Sequence, residues 1–156
     1  MRHQPTAAAG PVAFRTTIYQ VAPLLVAVTV LFLGHGLQGT LLGVRGGLEG
    51  MSAGSIGLVM SAYFLGFIVG SFWSVHLIET VGHIRTFAAL ASVTSAVALA
   101  YALEISVIWW LILRIINGFC FAGMILVVES WLNAGTESRW RGRVLAIYGT
   151  ITLAAW

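Results

Sequence analysis

The sequence contains very few charged residues. Only 8% of its 156 residues are acidic or basic, 59% are hydrophobic, and no aspartate occurs at all. A soluble domain carries roughly a quarter charged residues, because its surface must be hydrated. Eight basic and five acidic residues cannot cover a soluble globule of this length. The composition therefore excludes an ordinary soluble domain.

The sequence also has only one cysteine, and its histidines do not cluster. The single cysteine, Cys120, lies in an apolar run and rules out an internal disulfide. The four histidines are His3, His35, His76 and His83, and neither an H-x-x-x-H nor a C-x-x-C pattern occurs. A membrane enzyme would need a nucleophile beside a base, or metal ligands at fixed spacing. We therefore predict no catalytic residues, no metal and no cofactor.

Long uncharged runs are abundant, and they predict an all-α, polytopic bundle of transmembrane helices. The predicted spans cover residues 21–42, 56–77, 86–103 and 106–128, and a fifth starts near Val144. At 1.5 Å per residue the first four are about 27 to 35 Å long, which matches a hydrocarbon core of about 30 Å. Residues 1–20 are predicted to form a cytoplasmic N-terminal tail, and residues 21–156 part of one helical domain.

The fifth predicted span, residues 144–156, is incomplete. Its 13 residues give about 20 Å of helix, so the chain would end inside the bilayer. A terminal carboxylate there is costly to bury. On this arithmetic we expect the sequence to be a fragment of a longer protein.

The arginines predict the orientation. Six of them share one side of the alternating topology, namely Arg2, Arg15, Arg85, Arg139, Arg141 and Arg143, and only Arg45 lies on the other. The positive-inside rule places those six in the cytoplasm, and the N-terminus with them. Because they fall between apolar segments rather than along one face, no nucleic-acid partner is expected.

Tryptophans near the predicted membrane interfaces suggest an aromatic belt. Trp109 and Trp110 would lie at the outer interface, and Trp131 and Trp140 at the inner one.

Two polar pairs interrupt the apolar spans. Arg114 and Asn117 lie three residues apart in the fourth span, as do His35 and Gln38 in the first, so each pair shares one helix face. Since the two helices run in opposite directions, His35 is expected at about the depth of Arg114. A charge at that depth usually faces the bundle interior or a watery cavity. We predict a substrate or coupling cavity at these four residues; assembly through backbone carbonyls or an unseen glutamate is the alternative for Arg114.

Small residues at four-residue spacing mark one stripe of the second span, namely Ala62, Gly66, Gly70 and Ser74. Such a stripe lets a neighbouring backbone approach closely in lipid. We predict that it packs against another helix, with Gly118 of the fourth span among the packing residues.

The loop between the second and third spans, "VHLIETVGHIRTF", resembles the major facilitator superfamily of secondary transporters. That family carries G-x-L-a-D-r-x-G-r-r here, and the register places Glu79 at the aspartate, Gly82 at the second glycine and His83 at the first basic position. Val75, Thr80 and Ile84 depart from the pattern, and Arg85 stands one place beyond it. The resemblance implies a cytoplasmic gate at Glu79, Gly82, His83 and Arg85.

The fourth span, "RIINGFCFAG", is similar to the family's R-x-x-q-G-x-g motif, with Arg114, Asn117 and Gly118 in register. With "SAYFLGFIVGSF" and "VVESWLNAGTESRWRGRVLAIY", it resembles a poorly characterised bacterial branch of the superfamily, from about Pro23 to Trp156. The resemblance implies that Arg114 takes part in cavity lining and proton coupling. It also implies two six-helix halves, of which this chain would hold about a third.

The predicted function is secondary active transport of a small solute by alternating access, in the bacterial inner membrane. The alternatives are a non-functional truncation product and a membrane assembly or scaffold protein. The expected partners are the lipid bilayer, a small-molecule substrate of unknown identity, a proton as the candidate coupling ion, and the missing C-terminal half of the protein.

Overall fold

The computed structural model describes residues 11–136 and 138–154. This part of the chain is built from α-helices joined by short turns and contains no strand. The helices are α1 (Pro11–Leu48), α2 (Ala53–Val81), α3 (His83–Ala100), α4 (Val107–Gly135) and α5 (Ser138–Ala154). The all-α prediction is therefore confirmed.

Four of these helices contain stretches that are long and apolar enough to cross a membrane. The stretches are Ala22–Leu48, Ala53–Val81, His83–Ala100 and Val107–Ala134.

The helices extend past the predicted spans at several ends. Helix α1 begins at Pro11, within the predicted tail, and α5 begins at Ser138, six residues before the predicted start of the fifth span. Helix α3 stops at Ala100, three residues short of its predicted end. Backbone hydrogen bonding continues a helix beyond its apolar part, so hydropathy marks the lipid-facing stretch better than the helix ends. The predicted features in residues 1–10 and at residues 155–156 lie outside the described residues.

Serine caps start two of the helices. The Ser52 hydroxyl accepts a hydrogen bond from the Ser55 amide at 3.1 Å, and the Ser106 hydroxyl accepts one from the Trp109 amide at 3.2 Å. Each cap satisfies one of the amides that a helix N-terminus leaves without an internal partner. Helices α2 and α4 therefore start where their sequences supply a cap.

A single residue, Gly82, separates α2 from α3. Its φ of 89° is a conformation that side chains with a Cβ rarely adopt. The Gly82 amide donates to the Ile78 carbonyl at 3.0 Å, and its carbonyl accepts from the Thr86 amide at 3.1 Å. The buried Thr86 hydroxyl then donates to the Leu77 carbonyl across the turn at 3.3 Å. The turn is therefore bonded into both helices.

Tryptophan side chains tie the turn between α3 and α4. The Trp109 indole donates to the Ala100 carbonyl at 2.9 Å, and the Trp110 indole donates to the Glu104 carbonyl at 3.1 Å. Trp110 is only 1% exposed, and Trp140 at the other end of the bundle only 7%. The rings of Trp110 and Trp140 are therefore turned into the bundle.

Helix α4 is the central helix. In its most apolar 18-residue stretch 61% of the residues are buried, against 17% in α1 and α3. Its buried side chains belong to two apolar clusters, one around Phe121 and Met124 and the other around Trp110 and Leu113. Any polar residue in the middle of α4 is therefore enclosed by other helices.

Candidate functional site

Glycines bring the backbones of α2 and α4 into direct contact. A Cβ at Gly66 would overlap the carbonyl of Ile115, and a Cβ at Gly118 would overlap the carbonyl of Tyr63. The structure places all four residues of the predicted small-residue stripe on the buried face of α2. Because no side chain separates the two backbones, α2 and α4 form a close pair that fixes the residues beside Gly118.

Arg114 lies one turn before Gly118 and is 3% exposed. Its Nη2 donates to the Sδ atom of Met60 on α2 at 2.9 Å. A Cβ added to Gly39 of α1 would lie 3.6 Å from the same nitrogen, so the guanidinium reaches the α1 backbone. The cation is therefore enclosed between α1, α2 and α4, and it does not face lipid.

The polar residues of α1 and α4 meet through one hydrogen bond. Asn117 Nδ2 donates to Gln38 Oε1 at 2.9 Å, and Asn117 is fully buried. The other amide atoms, Gln38 Nε2 and Asn117 Oδ1, are buried without a hydrogen-bond partner among the described residues. A polar cluster consisting of Gln38, Met60, Arg114 and Asn117 therefore joins three helices.

His35 contacts aromatic rings of α2 and α4. Its ring stacks on Phe121 at a centroid distance of 4.0 Å and lies 4.9 Å from the ring of Tyr63. Gln38 is level with Asn117, and Gly39 is level with Arg114, so His35 is about one turn away from the level of the cation. Counting residues from the span ends therefore places His35 to within about one helical turn of the cation.

A cavity of about 500 Å³ lies between α1 and α3. Of the four predicted cavity residues, His35 and Gln38 line this cavity, and Arg114 and Asn117 do not. Its lining is mostly apolar and consists of Val30, Leu31, Gly34, His35, Leu37, Gln38, Leu41, Leu42, Arg45, Thr94, Ser95, Ala98, Tyr101, Ala102 and Phe121. The polar cluster thus touches this cavity through Gln38.

The predicted gate residues surround the turn at Gly82. Glu79 and Arg85 are exposed, and His83 is half-buried. Within the described part of the chain, none of these three forms an ion pair. Their side chains are available for contacts on this face of the bundle.

Sequence reasoning missed Met60, which belongs to the polar cluster, and two residues near the cluster, Tyr63 and Tyr101. Tyr63 precedes Gly66 by three residues, so its place on the buried stripe could have been read from the spacing. Tyr101 carried no such signal, since it lies in the turn that follows α3 and is brought in by the packing of α3 on α4.

Metal ligands do not cluster in the described residues. No group of three or more histidine, cysteine or acidic side chains there could hold a metal ion.

Comparison with known proteins agrees with this architecture. The chain is 33% identical over 125 residues to the "Uncharacterized MFS-type transporter YcaD" of Escherichia coli O45:K1 (strain S88 / ExPEC), and equally to the proteins of that name from E. coli O81 (strain ED1a) and E. coli O6:K15:H31 (strain 536 / UPEC). The aligned region covers 80% of this chain and 33% of each relative, so the chain spans about one third of the length of the curated relatives it matches. No solved structure matches.

The family profile described as Major Facilitator Superfamily matches residues 24–156, which covers three of the membrane-length stretches in full and the first from residue 24 onward. The resemblance read from the loop at Gly82 and from the fourth span is thereby confirmed. With four membrane-length helices and this match, the chain is part of a multi-pass membrane protein and belongs to the Major Facilitator Superfamily.

Proposed function

We propose that the protein is a secondary transporter that carries a small solute across the bacterial inner membrane by alternating access. The observation that carries this proposal is the polar cluster of Gln38, Met60, Arg114 and Asn117, enclosed between membrane-length helices. Ionisable residues inside a membrane bundle are costly and typically mark solute or ion pathways. Family membership favours transport over the scaffold alternative.

Alternating access requires one part of the bundle to move against another. The glycine contacts at Gly66 and Gly118 hold α2 and α4 together without intervening side chains. Helix α1 instead contacts α4 through the Gln38–Asn117 bond and ring stacking at His35. We propose that α2 and α4 move as one body, and that the α1 contacts rearrange when the solute enters.

The proposal also covers the orientation of the protein in the membrane, its cytoplasmic gate and its coupling ion. The N-terminus lies in the cytoplasm, and the loop with Glu79, Gly82, His83 and Arg85 forms the cytoplasmic gate. The part of the transporter that the chain does not include supplies the facing wall of the pathway. A proton is the coupling ion, and the solute crosses without chemical change.

The test is solute-driven proton movement in proteoliposomes. The complete gene product is reconstituted with an internal pH-sensitive dye and exposed to a panel of organic acids, amino acids, sugars and cationic dyes under a proton gradient. At least one solute should move protons faster than in protein-free liposomes, and Arg114→Ala should abolish that response. Equal rates with and without protein for the whole panel would contradict the proposal.

A further inference from the structure

We infer that the Arg114 site binds the anionic group of a small organic monoanion, which makes such anions the substrate class. This inference rests on the transport function proposed above and concerns the same site.

The charge of Arg114 is not compensated within the described residues. Its Nη2 bonds to a thioether sulfur, which is a weak acceptor, and its Nε is buried without a hydrogen-bond partner. No acidic side chain of the described chain forms an ion pair with it. Glu129 lies fifteen residues further along α4, about 22 Å away. A buried guanidinium in this state needs a negative partner.

Three hydrogen-bond donors near the cation have no acceptor within the described part of the chain, beside one unpaired acceptor in the polar cluster, Asn117 Oδ1. The Tyr63 hydroxyl, the Tyr101 hydroxyl and Gln38 Nε2 are all buried without a partner among the described residues. Tyr63 lies one turn beyond Met60 on α2. Tyr101 packs edge-on against Trp110, which precedes Arg114 by one turn. A cation combined with unused N–H and O–H groups is the chemistry that recognises an oxyanion, because each group can donate to it. A cationic solute would meet repulsion at the same place.

The cavity indicates the rest of the solute. Gln38 and Tyr101 both line it. Gln38 bonds to Asn117 of the polar cluster, and Tyr101 packs against Trp110, one turn before Arg114, so an anionic group at the cation could extend its body into this space. Its volume of about 500 Å³ suits a small molecule, and much of its wall is apolar, including Leu37, Leu41 and Phe121. One uncompensated cation favours one negative charge. The expected ligand therefore has an anionic end and an apolar body.

Matched pairs of charged and neutral probes test the inference by thermal unfolding of the complete gene product in lipid nanodiscs. The pairs are propionate with propionamide, benzoate with benzamide, and phenylacetate with phenylacetamide. At least one carboxylate should raise the unfolding temperature, and its amide should not. Arg114→Gln should raise the dissociation constant of that carboxylate about 10- to 100-fold, which corresponds to the loss of a hydrogen bond to a charged group.

Two further variants separate binding from folding. Arg141→Gln removes an arginine from the first turns of α5, away from the polar cluster, and should leave the dissociation constant unchanged. Tyr63→Phe removes only a hydroxyl and should weaken carboxylate binding about 2- to 10-fold. This variant tests the inference if the Arg114→Gln protein does not fold.

The inference is overturned if no carboxylate stabilises the protein more than its amide, or if both Arg114→Gln and Tyr63→Phe respond like the wild type. Carrying the probe pairs through the proteoliposome assay keeps the two proposals apart. Transport of a neutral or cationic solute, with no preference for carboxylates, sinks the anion inference but leaves the transport function standing. Specific carboxylate binding without movement of any solute contradicts transport alone.

Discussion

At the scale of single residues, the Gln38–Asn117 bond is the polar contact that fixes the level of α1 against α4. The bond is 2.9 Å long, and both amides have a second polar atom that is buried without a partner among the described residues. Removing one amide leaves the other with no partner in this part of the chain, which is more costly than removing both together. The pair is therefore coupled in a way that a double-mutant cycle can measure.

We predict that Asn117→Leu and Gln38→Met each lower the free energy of unfolding by about 1 to 2 kcal/mol, and that the double variant loses less than their sum. The coupling should be about 0.6 kcal/mol, the average for hydrogen bonds between membrane helices, and at most about 1.7 kcal/mol. Unfolding of the reconstituted protein in denaturant measures all four species. Additive losses would show that the bond contributes nothing.

Arg114 differs from this amide pair, because its guanidinium is a strong donor and the Met60 sulfur that accepts from it is a weak acceptor. Its position near α1 depends on Gly39, which leaves room for the guanidinium beside the helix backbone. Gly39→Leu should displace the cation and reduce solute-driven proton movement at least about tenfold while α2 and α4 stay packed. Gly47→Leu on the same helix is a suitable control, since no atom lies within 4 Å of a Cβ there and Gly47 does not line the cavity. Equal transport by the two variants would argue against a role for the Gly39–Arg114 approach.

At the scale of elements, the contact between α2 and α4 determines which helices can separate. A methyl group at Gly66 or Gly118 would collide with a backbone carbonyl, which cannot rotate away as a side chain can. The two helices would have to move apart along their whole length. Such overpacking would therefore weaken every neighbouring contact of the pair.

We predict that Gly66→Ala and Gly118→Ala each destabilise the protein by about 3 kcal/mol, near the upper end for overpacking. Gly57→Ala lies on the same helix with nothing within 4 Å of its Cβ, and should leave stability unchanged or raise it by up to about 1 kcal/mol. Yield of monodisperse protein and unfolding temperature report both effects. A Gly66→Ala protein as stable as Gly57→Ala would show that the helices are not in backbone contact.

The turn between α2 and α3 supplies a second prediction for the elements. Since Gly82 has a φ of 89°, Gly82→Ala forces a Cβ into a strained conformation that costs about 1 to 3 kcal/mol. Gly142→Ala in α5 has open space around its Cβ and provides the control. The unfolding temperature should fall for the first variant only; an equal response of the two would contradict a strained turn.

At the scale of the whole molecule, orientation is the main prediction. Arg45 and Glu49 form an ion pair at 3.7 Å at the end of α1, whereas Arg85 lies beyond the next helix end, on the opposite side of the bundle. By the positive-inside rule the side with more arginines is cytoplasmic. The turn at Gly50 should therefore face the periplasm.

Fusions of alkaline phosphatase test this orientation. The enzyme should be active when fused after Gly50 and inactive when fused after Gly82, because it folds only outside the cytoplasm. A fluorescent protein fused at the same positions should give the reverse pattern. Phosphatase activity at Gly82 with none at Gly50 would invert the topology and place the predicted gate loop outside.

The sequence by itself determined the class of this protein and its membrane-length helices. Scarce charge and long apolar runs allow few other solutions, since a bilayer requires helices whose backbone groups bond internally. The motifs at Gly82 and Arg114 were also sufficient for the family, because they are local patterns. All of this information lies within one helix or one turn at a time.

Tertiary structure alone decided what surrounds the polar residues. The partner of Arg114 is a methionine 54 positions away, and that of Asn117 is a glutamine 79 positions away. Such contacts depend on the register between helices. The glycine approach of α2 and α4 sets it for Met60 and Arg114, and the packing of α1 on α4 sets it for Gln38 and Asn117. Periodicity specifies the face of a helix that is buried, but not the height at which a neighbour meets it. For that reason the sequence predicts only an approximate depth for His35, near that of Arg114, and its stacking on Phe121 comes from the structure.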